Sequence, residues 1–321
     1  MSHPHMQGFG NTTIEQKGCW TCCFNKFEDP CSFAFNHTVM VYKSNDLKTF
    51  QAFDQPAQSV NDYKKQPGAM YRPHVVYNRK TKLFVMWTRT MTGDFTFPGY
   101  TVSTSKRPEG PFRALTTEPV VMPYSMTPKD FDILVDSDNT AYLVQGSTQK
   151  YPVNLTQGLT ILKLNSTYTG FADYPSTPFQ TMGYNAINYP VEGPAMFKRG
   201  ELYYVFAGTF CCVCNGGSSI AYFTSTSPLG NWSYKGEIGS DPSVVPIGTK
   251  PYDVNSPTMY TTRAQTSTIF KVGDQYVWLG NQWTRGRGRN SDPLYWSVLE
   301  FDADGNVKPF KYSSSTYVYT P

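Results

Sequence analysis

The sequence predicts an all-β fold, a five-bladed β-propeller that spans residues 1–321 as a single domain. The main observation is a strand pattern that recurs four times at roughly 60-residue spacing, a long period that is typical of propeller blades. Each copy has an apolar pair four and five residues after its first residue, followed by a turn and a second apolar strand. The first residues are Tyr71, Asp130, Glu192 and Gln265. Because inner strands of a propeller surround one axis, we expect these side chains to line one central cavity.

The composition supports this fold class and excludes two kinds of partner. Aromatic residues make up 16% of the chain and charged residues 16%, and Tyr, Gly and Pro are abundant, which suits strands joined by tight turns. The net charge is +4, and the densest basic run is the short segment Arg285–Arg289, so we expect no nucleic-acid partner. No apolar run approaches the roughly 20 residues of a membrane span, so we expect no membrane partner either.

The strands can be assigned in chain order. The segment TVMVYKSNDLKTFQAF, from Thr38, is expected to form the outer pair of the first blade, and the inner pair should lie upstream, within residues 5–24. In each of the four repeats a second strand pair follows the first, beginning at Gly99, Leu159, Ser218 and Leu294. Tight turns are predicted near Ser137, Lys198 and Asp302.

The seven cysteines lie in two clusters and allow two interpretations. The clusters are Cys19, Cys22, Cys23 and Cys31, and Cys211, Cys212 and Cys214. The C-x-x-C spacing of the first is compatible with a metal site, but no histidine lies near either cluster, which favours disulfides with one thiol left over. Five N-x-[ST] sequons also favour a secreted protein. No signal peptide is visible at the N-terminus, so the leader has been trimmed or the protein stays inside the cell; we expect secretion.

Several segments resemble one enzyme family. The segment EGPAMFKRGELYYVFAG, from Glu192, is similar to the E-[AG]-P-A-M-F-K-R-x-G-x-Y-Y motif of glycoside hydrolase family 43, and in particular of its exo-β-1,3-galactanase branch. YRPHVVYNRKTKLFVMW, KDFDILVDSDNTAYLV and AQTSTIFKVGDQYVWLGNQW resemble segments of the same branch in the same order, and VMVYKSNDLKTF resembles a first-blade segment. The resemblance covers nearly the whole chain. It implies a five-bladed propeller that hydrolyses a glycosidic bond with inversion.

The resemblance also implies roles for three of the aligned residues. Glu192 matches the general acid that protonates the leaving oxygen. Asp130 matches the aspartate that orients this acid and raises its pKa through a nearby like charge. Gln265 matches a glutamine that the galactanase branch has where most of the family has an aspartate base; it would orient the attacking water or act through its imidic tautomer. Without the resemblance, these residues would be interpreted as a strand-end carboxylate, a strand cap and a structural glutamine.

The substrate-binding residues depart from the branch pattern at two places. Tyr71 stands where the branch has a glutamate that contacts the sugar, and the segment Asn281–Trp283 reads N-Q-W in place of D-R-W. We predict that Tyr71, Arg72, Asn281 and Trp283 bind the substrate, with Trp283 as an apolar platform for a sugar ring. Trp87 is a second platform candidate, but its position inside an apolar strand favours the core.

We therefore expect an exo-acting hydrolase of β-1,3-galactan or a related β-linked plant or algal polysaccharide. Two alternatives are an arabinofuranosidase or xylosidase of the same family, and a non-catalytic glycan-binding propeller, which the neutral Tyr71 favours. We expect a monomer whose partner is a polysaccharide or oligosaccharide. No cofactor is expected; structural calcium occurs in some propellers of the family, and the sequence identifies no ligands for it.

Overall fold

The computed structural model describes residues 38–59, 67–92, 98–116, 118–149, 155–182, 191–209, 219–239, 264–282, 294–311, 313 and 315–319. Within these ranges the regular structure is strand, apart from one 3-10 turn at Pro123–Ser125. The described chain is therefore all-β, as the sequence predicts. The same ranges contain no helix that is long and apolar enough to cross a membrane.

The first four strands are short and form two pairs. They are β1 (Thr38–Val39), β2 (Tyr42–Lys43), β3 (Gln51–Ala52) and β4 (Gln58–Ser59). Strand β1 pairs with β4, and β2 pairs with β3. The β2–β3 pair lies within the segment that was predicted to form the outer pair of the first blade, whereas β1, at the start of that segment, pairs with β4 beyond it. The predicted inner pair of this blade lies outside the described residues.

Three four-stranded sheets and a three-stranded sheet follow in the described ranges, each meandering from strand to neighbouring strand. The first contains β5 (Pro67–Asn78), β6 (Leu83–Thr92), β7 (Gly99–Ser105) and β8 (Arg113–Ala114). The second contains β9 (Phe131–Val135), β10 (Ala141–Gln149), β11 (Leu155–Lys163) and β12 (Phe179–Met182). The third contains β13 (Val191–Arg199), β14 (Leu202–Thr209), β15 (Ser219–Ser225) and β16 (Ser233–Glu237). The fourth contains β17 (Gln265–Val272), β18 (Gln275–Asn281) and β19 (Leu294–Val298).

The predicted repeat is visible in the strand register. In three of the four copies, the first and fourth residues of the repeat are three positions apart, but the residues with which they pair on the next strand are only two positions apart. The first strand therefore has one extra residue between them, which forms a β-bulge. The pairs that flank the bulges are Tyr71 with Arg89 and His74 with Trp87, Glu192 with Gly208 and Ala195 with Phe206, and Gln265 with Asn281 and Thr268 with Leu279. The alignment of Tyr71, Glu192 and Gln265 is thus confirmed by their hydrogen-bonded ladders.

The predicted turns are also present. The backbone N–H of Asp136 donates to the carbonyl of Thr140, which closes the hairpin near Ser137. Gly200 (φ 58°) occupies the left-handed region between β13 and β14, which suits a residue without a Cβ. The backbone N–H of Asp302 donates to the carbonyl of Asn306, which closes the turn predicted near Asp302.

The described residues divide into two compact units, each with its own core. The first unit holds the described residues up to Ala141 together with Lys163–Pro178, and the second holds Tyr142–Leu162 and the described residues from Phe179 to Thr284 and from Pro293 onward. One core cluster of the first unit contains Val39, Ala57, Met70, Met86 and Phe112. The second unit has a larger aromatic cluster that includes Phe197, Tyr204, Phe206, Trp278 and Phe310. The prediction of one domain stays a prediction.

Candidate active site

The structure describes six of the seven predicted site residues, three in each unit. Tyr71, Arg72 and Asp130 lie in the first unit, and Glu192, Gln265 and Asn281 lie in the second. Trp283 lies outside the described residues, as do all seven cysteines. The predicted disulfides and the alternative thiolate metal site therefore stay predictions, as does the common cavity.

In the first unit, Asp130 is held between two arginines. The guanidinium of Arg72 donates to Asp130 Oδ2 at 2.8 Å, and that of Arg89 donates to Asp130 Oδ1 at 3.2 Å. The side chains of Arg72 and Arg89 are 4% and 16% exposed, and that of Asp130 is 22% exposed. Charge-assisted hydrogen bonds at this burial are much stronger than surface ion pairs. They fix the orientation of the carboxylate, so Asp130 does more than cap a strand.

The backbone of β5 brings Arg72 to this position. Arg72 lies in the bulge after Tyr71 and adopts φ 51°, and Pro73 follows it. The left-handed conformation costs a residue with a Cβ about 1–2 kcal/mol. The corresponding bulge residue of the third sheet is Gly193, with φ 58°, and it is also followed by a proline, Pro194. The same local backbone thus serves both repeats, with a glycine in one and an arginine in the other.

A contact between His74 and Asp132 in the first unit was not predicted from the sequence. His74 Nδ1 lies 3.0 Å from Asp132 Oδ1, and the two side chains are 13% and 5% exposed. The His74 ring also packs against Phe131, with 4.9 Å between the ring centroids. These contacts join β5 to the neighbouring strand β9 directly beside Asp130. Asp132 is therefore a buried inter-strand residue, and the turn position in this segment belongs to Asp136, whose carboxylate accepts the backbone N–H of Ser137.

Two buried aromatic side chains support the same strands. Trp87 is fully buried, and its indole N–H donates to the carbonyl of Tyr168 at 2.7 Å, so its interpretation as a core residue is confirmed. The hydroxyl of Tyr100 donates to the carbonyl of Lys129, one residue before Asp130. Burial raises the pKa of the Tyr100 phenol well above its ordinary value, so the phenol stays protonated and keeps this bond.

In the second unit, Glu192 lies near the start of β13. It is partly exposed, and the next residue is Gly193 in the bulge. The residue opposite Glu192 on β14 is Gly208, which has no side chain. Strand β13 lies next to β17, the strand that begins with Gln265. Glu192 and Gln265 thus occupy equivalent repeat positions on two neighbouring inner strands of one unit.

Gln265 forms a cross-strand pair with Asn281. The two residues are the last pair of the β17–β18 ladder, and they are 3% and 6% exposed. Asn281 Oδ1 is buried and has no hydrogen-bond partner within the described ranges. The three predicted site residues of the second unit are therefore one carboxyl group, that of Glu192, and two carboxamides. Of these three side chains only Glu192 can donate a proton as an acid, while the amides can orient polar groups.

Asn281 was predicted from the sequence, but its counterpart in the first of these sheets was not. Arg89 occupies on β6 the position that Asn281 occupies on β18, since each lies opposite the first residue of its repeat. Extending the repeat alignment one strand further would have identified Arg89. Among the residues that the structure describes, no group of three or more His, Cys, Asp or Glu side chains is placed to hold a metal ion.

Comparison with known proteins places the chain in a family. Residues 24–247 match the model of glycosyl hydrolases family 43, which is more than two thirds of the 321 residues. No curated protein matches the sequence. Among solved structures, a family 43 β-1,3-galactosidase bound to galactodeoxynojirimycin is 18% identical with a TM-score of 0.67, and 84% of each chain is covered.

Two exo-β-1,3-galactanases have the same fold. The enzyme from Phanerochaete chrysosporium, solved with β-1,3-galactotriose, is 20% identical with a TM-score of 0.65; the match covers 85% of this chain and 56% of that one. The enzyme from Clostridium thermocellum is 21% identical with a TM-score of 0.65, covering 84% of this chain and 54% of that one. The chain thus spans about half the length of these two enzymes. At this identity the structures show a shared fold, and the match over residues 24–247 shows that the chain belongs to glycosyl hydrolases family 43.

Proposed function

We propose that this glycosidase is an exo-acting, inverting hydrolase of β-1,3-galactan or a related β-linked plant or algal polysaccharide. The observation that carries the proposal is the arrangement in the second unit, where Glu192 and Gln265 begin neighbouring inner strands at equivalent positions. A proton donor beside a carboxamide suits an acid-assisted attack by water. The family supports glycoside hydrolysis, and the galactanases and the galactosidase of the same fold support the substrate class.

In this mechanism the oxygen of a water molecule forms a bond to the anomeric carbon as the glycosidic C–O bond breaks. Glu192 gives its proton to the leaving oxygen, and the water releases a proton to solvent, from which Glu192 is protonated again. Gln265 orients the water. Asp130 is proposed to orient and tune the acid, and Tyr71, Arg72 and Trp283 to bind the sugar. Hydrolysis of this kind needs no cofactor.

The proposal includes the finer architecture. We propose a five-bladed propeller, which the repeat register, the successive meandering sheets and family membership support. We also propose a secreted monomer with disulfides, which the sequons and the clustered cysteines support.

The first experiment measures sugar release from β-1,3-galactan, arabinan and xylan. We expect galactose from β-1,3-galactan, with the α-anomer appearing first in proton NMR spectra because attack from the opposite face inverts a β-linkage. Release of arabinose or xylose instead would indicate the arabinofuranosidase or xylosidase alternative. A β-anomer as first product would contradict inversion.

The second experiment tests the acid. Glu192→Gln keeps the shape of the side chain but cannot donate a proton, so we expect turnover to be lost while oligosaccharide binding remains. The control is Glu201→Gln, an exposed glutamate in the turn after β13, which should leave activity unchanged. If wild-type and Glu192→Gln proteins release equal amounts of sugar, the mechanism is wrong. If neither releases sugar but both bind oligosaccharide, the protein is a glycan-binding propeller, as the neutral Tyr71 would permit.

A further inference from the structure

The open end of the β17–β18 hairpin presents two carboxamides to each other. Gln265 and Asn281 are directly opposite in an antiparallel ladder, so their side chains leave the sheet on the same face with their Cβ atoms about 4.5–5.5 Å apart. Both side chains are almost completely buried. This buried polar pair lies at the end of the hairpin, and its strand β17 is next to β13, the strand that carries Glu192.

Asn281 has a hydrogen-bond acceptor that the surrounding protein does not use. Its Oδ1 atom is buried and has no partner within the described ranges. A buried carbonyl oxygen that lacks a donor is unfavourable, and native proteins usually satisfy it with a protein group, an ordered water or a ligand. A small molecule that enters this site would supply the missing donor to Asn281 Oδ1.

Water is the molecule that fits the chemistry. Inverting hydrolysis needs a group that holds water on the face opposite the leaving oxygen. A water molecule has two O–H donors, and two amide oxygens can accept both, which aims a lone pair away from them. Neither amide is a base at neutral pH, so their shared role is to hold and orient.

We propose that Asn281 Oδ1 binds the attacking water together with Gln265, rather than binding the sugar. The inference rests on the proposed function and deepens it. The equivalent positions in the other two ladders could not do this: Arg89 has only donors, and Gly208 has no side chain. Three of the described ladders show the repeat bulge. Of these three, only that of the fourth sheet has a neutral hydrogen-bond acceptor, Asn281, opposite the first residue of its repeat.

The first test is Asn281→Leu, which keeps the size of the side chain and removes the acceptor. We expect kcat to fall about 100-fold, the order of loss that follows when a reacting group is misplaced by about 1 Å, while KM changes by less than about twofold. A residue that binds the sugar would give the opposite division, with KM raised and kcat preserved. A retained wild-type kcat would overturn the inference.

The second test is Asn281→Asp, which supplies an acceptor of the same shape that titrates. We expect the kcat of this variant to rise with pH as the new carboxyl group loses its proton, and to exceed that of Asn281→Leu above that point. The pH profile should gain an acidic limb that follows the titration of the new carboxyl group. A purely structural role would not change the profile, so an unchanged profile would overturn the inference even if Asn281→Leu fails to fold.

The control is Asn231→Asp, at an exposed position of the same unit, which should keep the wild-type kcat and pH profile. The outcomes separate the inference from the function on which it rests. If the wild-type protein releases sugar and the Asn281 variants behave like it, the inference fails and the hydrolase proposal stands. If the wild-type protein releases no sugar from any of the three polysaccharides, both are overturned.

Discussion

Replacing Asp130 by asparagine tests the charge arrangement of the first unit. The change removes one negative charge from between Arg72 and Arg89 and keeps the side-chain shape. The new amide oxygen can still accept from one guanidinium, but the amide N–H₂ then points toward the other, donor against donor. Arg72 is only 4% exposed, so water cannot replace the lost carboxylate. We expect Asp130→Asn to destabilise the protein strongly.

The magnitude follows from the contacts. A hydrogen bond to a charged group contributes about 1.5–3 kcal/mol, and removing one partner of a buried ion pair costs about 3–5 kcal/mol. Asp130 itself is 22% exposed, and one of its two bonds can be kept, so the lower end applies. We expect the free energy of unfolding to fall by about 3 kcal/mol.

Urea unfolding followed by tryptophan fluorescence measures this change. The matched control is Asp274→Asn, because the Asp274 side chain is fully exposed and lies 3.7 Å from Lys271 in a surface pair. Such a pair contributes about 0–1 kcal/mol, so the control should unfold close to the wild-type midpoint. Equal and small shifts for the two variants would refute the reasoning. Asp130→Asn should also lower turnover, but less completely than Glu192→Gln.

Two further predictions concern packing and pH. An added Cβ at Gly280 would lie 2.2 Å from the ring of the buried Trp278, so Gly280→Ala should lower the free energy of unfolding by about 1–3 kcal/mol. The control is Gly170→Ala, which should change it much less because the nearest neighbour of its Cβ is a side-chain amide at 3.2 Å. Similar urea midpoints for the two variants would contradict this prediction. Burial raises the pKa of Tyr100, so the folded state keeps a proton that the unfolded chain loses near pH 10. The free energy of unfolding should therefore fall as the pH rises above about 10, and it should fall less steeply between pH 9 and 11 in the Tyr100→Phe variant. Equal slopes for the two proteins would refute the assignment.

The repeat was predictable because alternation and turns are local signals. The apolar pairs after Tyr71, Glu192 and Gln265 mark the same position in each strand, and the ladders confirm that these strands share one register. The bulges were not predicted, because alternation is counted along one strand, whereas a bulge is a mismatch between two. The sequences Arg72-Pro73 and Gly193-Pro194 contain a hint, since proline cannot donate to a ladder and is found at bulges.

The ion pairs lay beyond sequence reasoning for a different reason. Asp130 and Asp132 are two residues apart, and both are paired with residues about 40 to 60 positions earlier in the chain. Nothing in the local sequence distinguishes them from Asp136, which serves the turn. Which partner each finds depends on how β9 lies against β5. Packing of inner strands therefore decides the electrostatics here, and a repeat alignment can show only which positions are equivalent.

The comparison of Arg72 with Gly193 explains why a charged residue occupies a position that suits glycine. The left-handed conformation at φ 51° costs Arg72 about 1–2 kcal/mol that Gly193 does not incur. Its bond to Asp130, at 2.8 Å and largely out of water, contributes about 1.5–3 kcal/mol and offsets that cost. The conformation of Arg72 is therefore maintained by a contact with another strand, not by local preference. The third sheet has Gly193 at the equivalent position, so its bulge needs no such contact to offset a left-handed conformation.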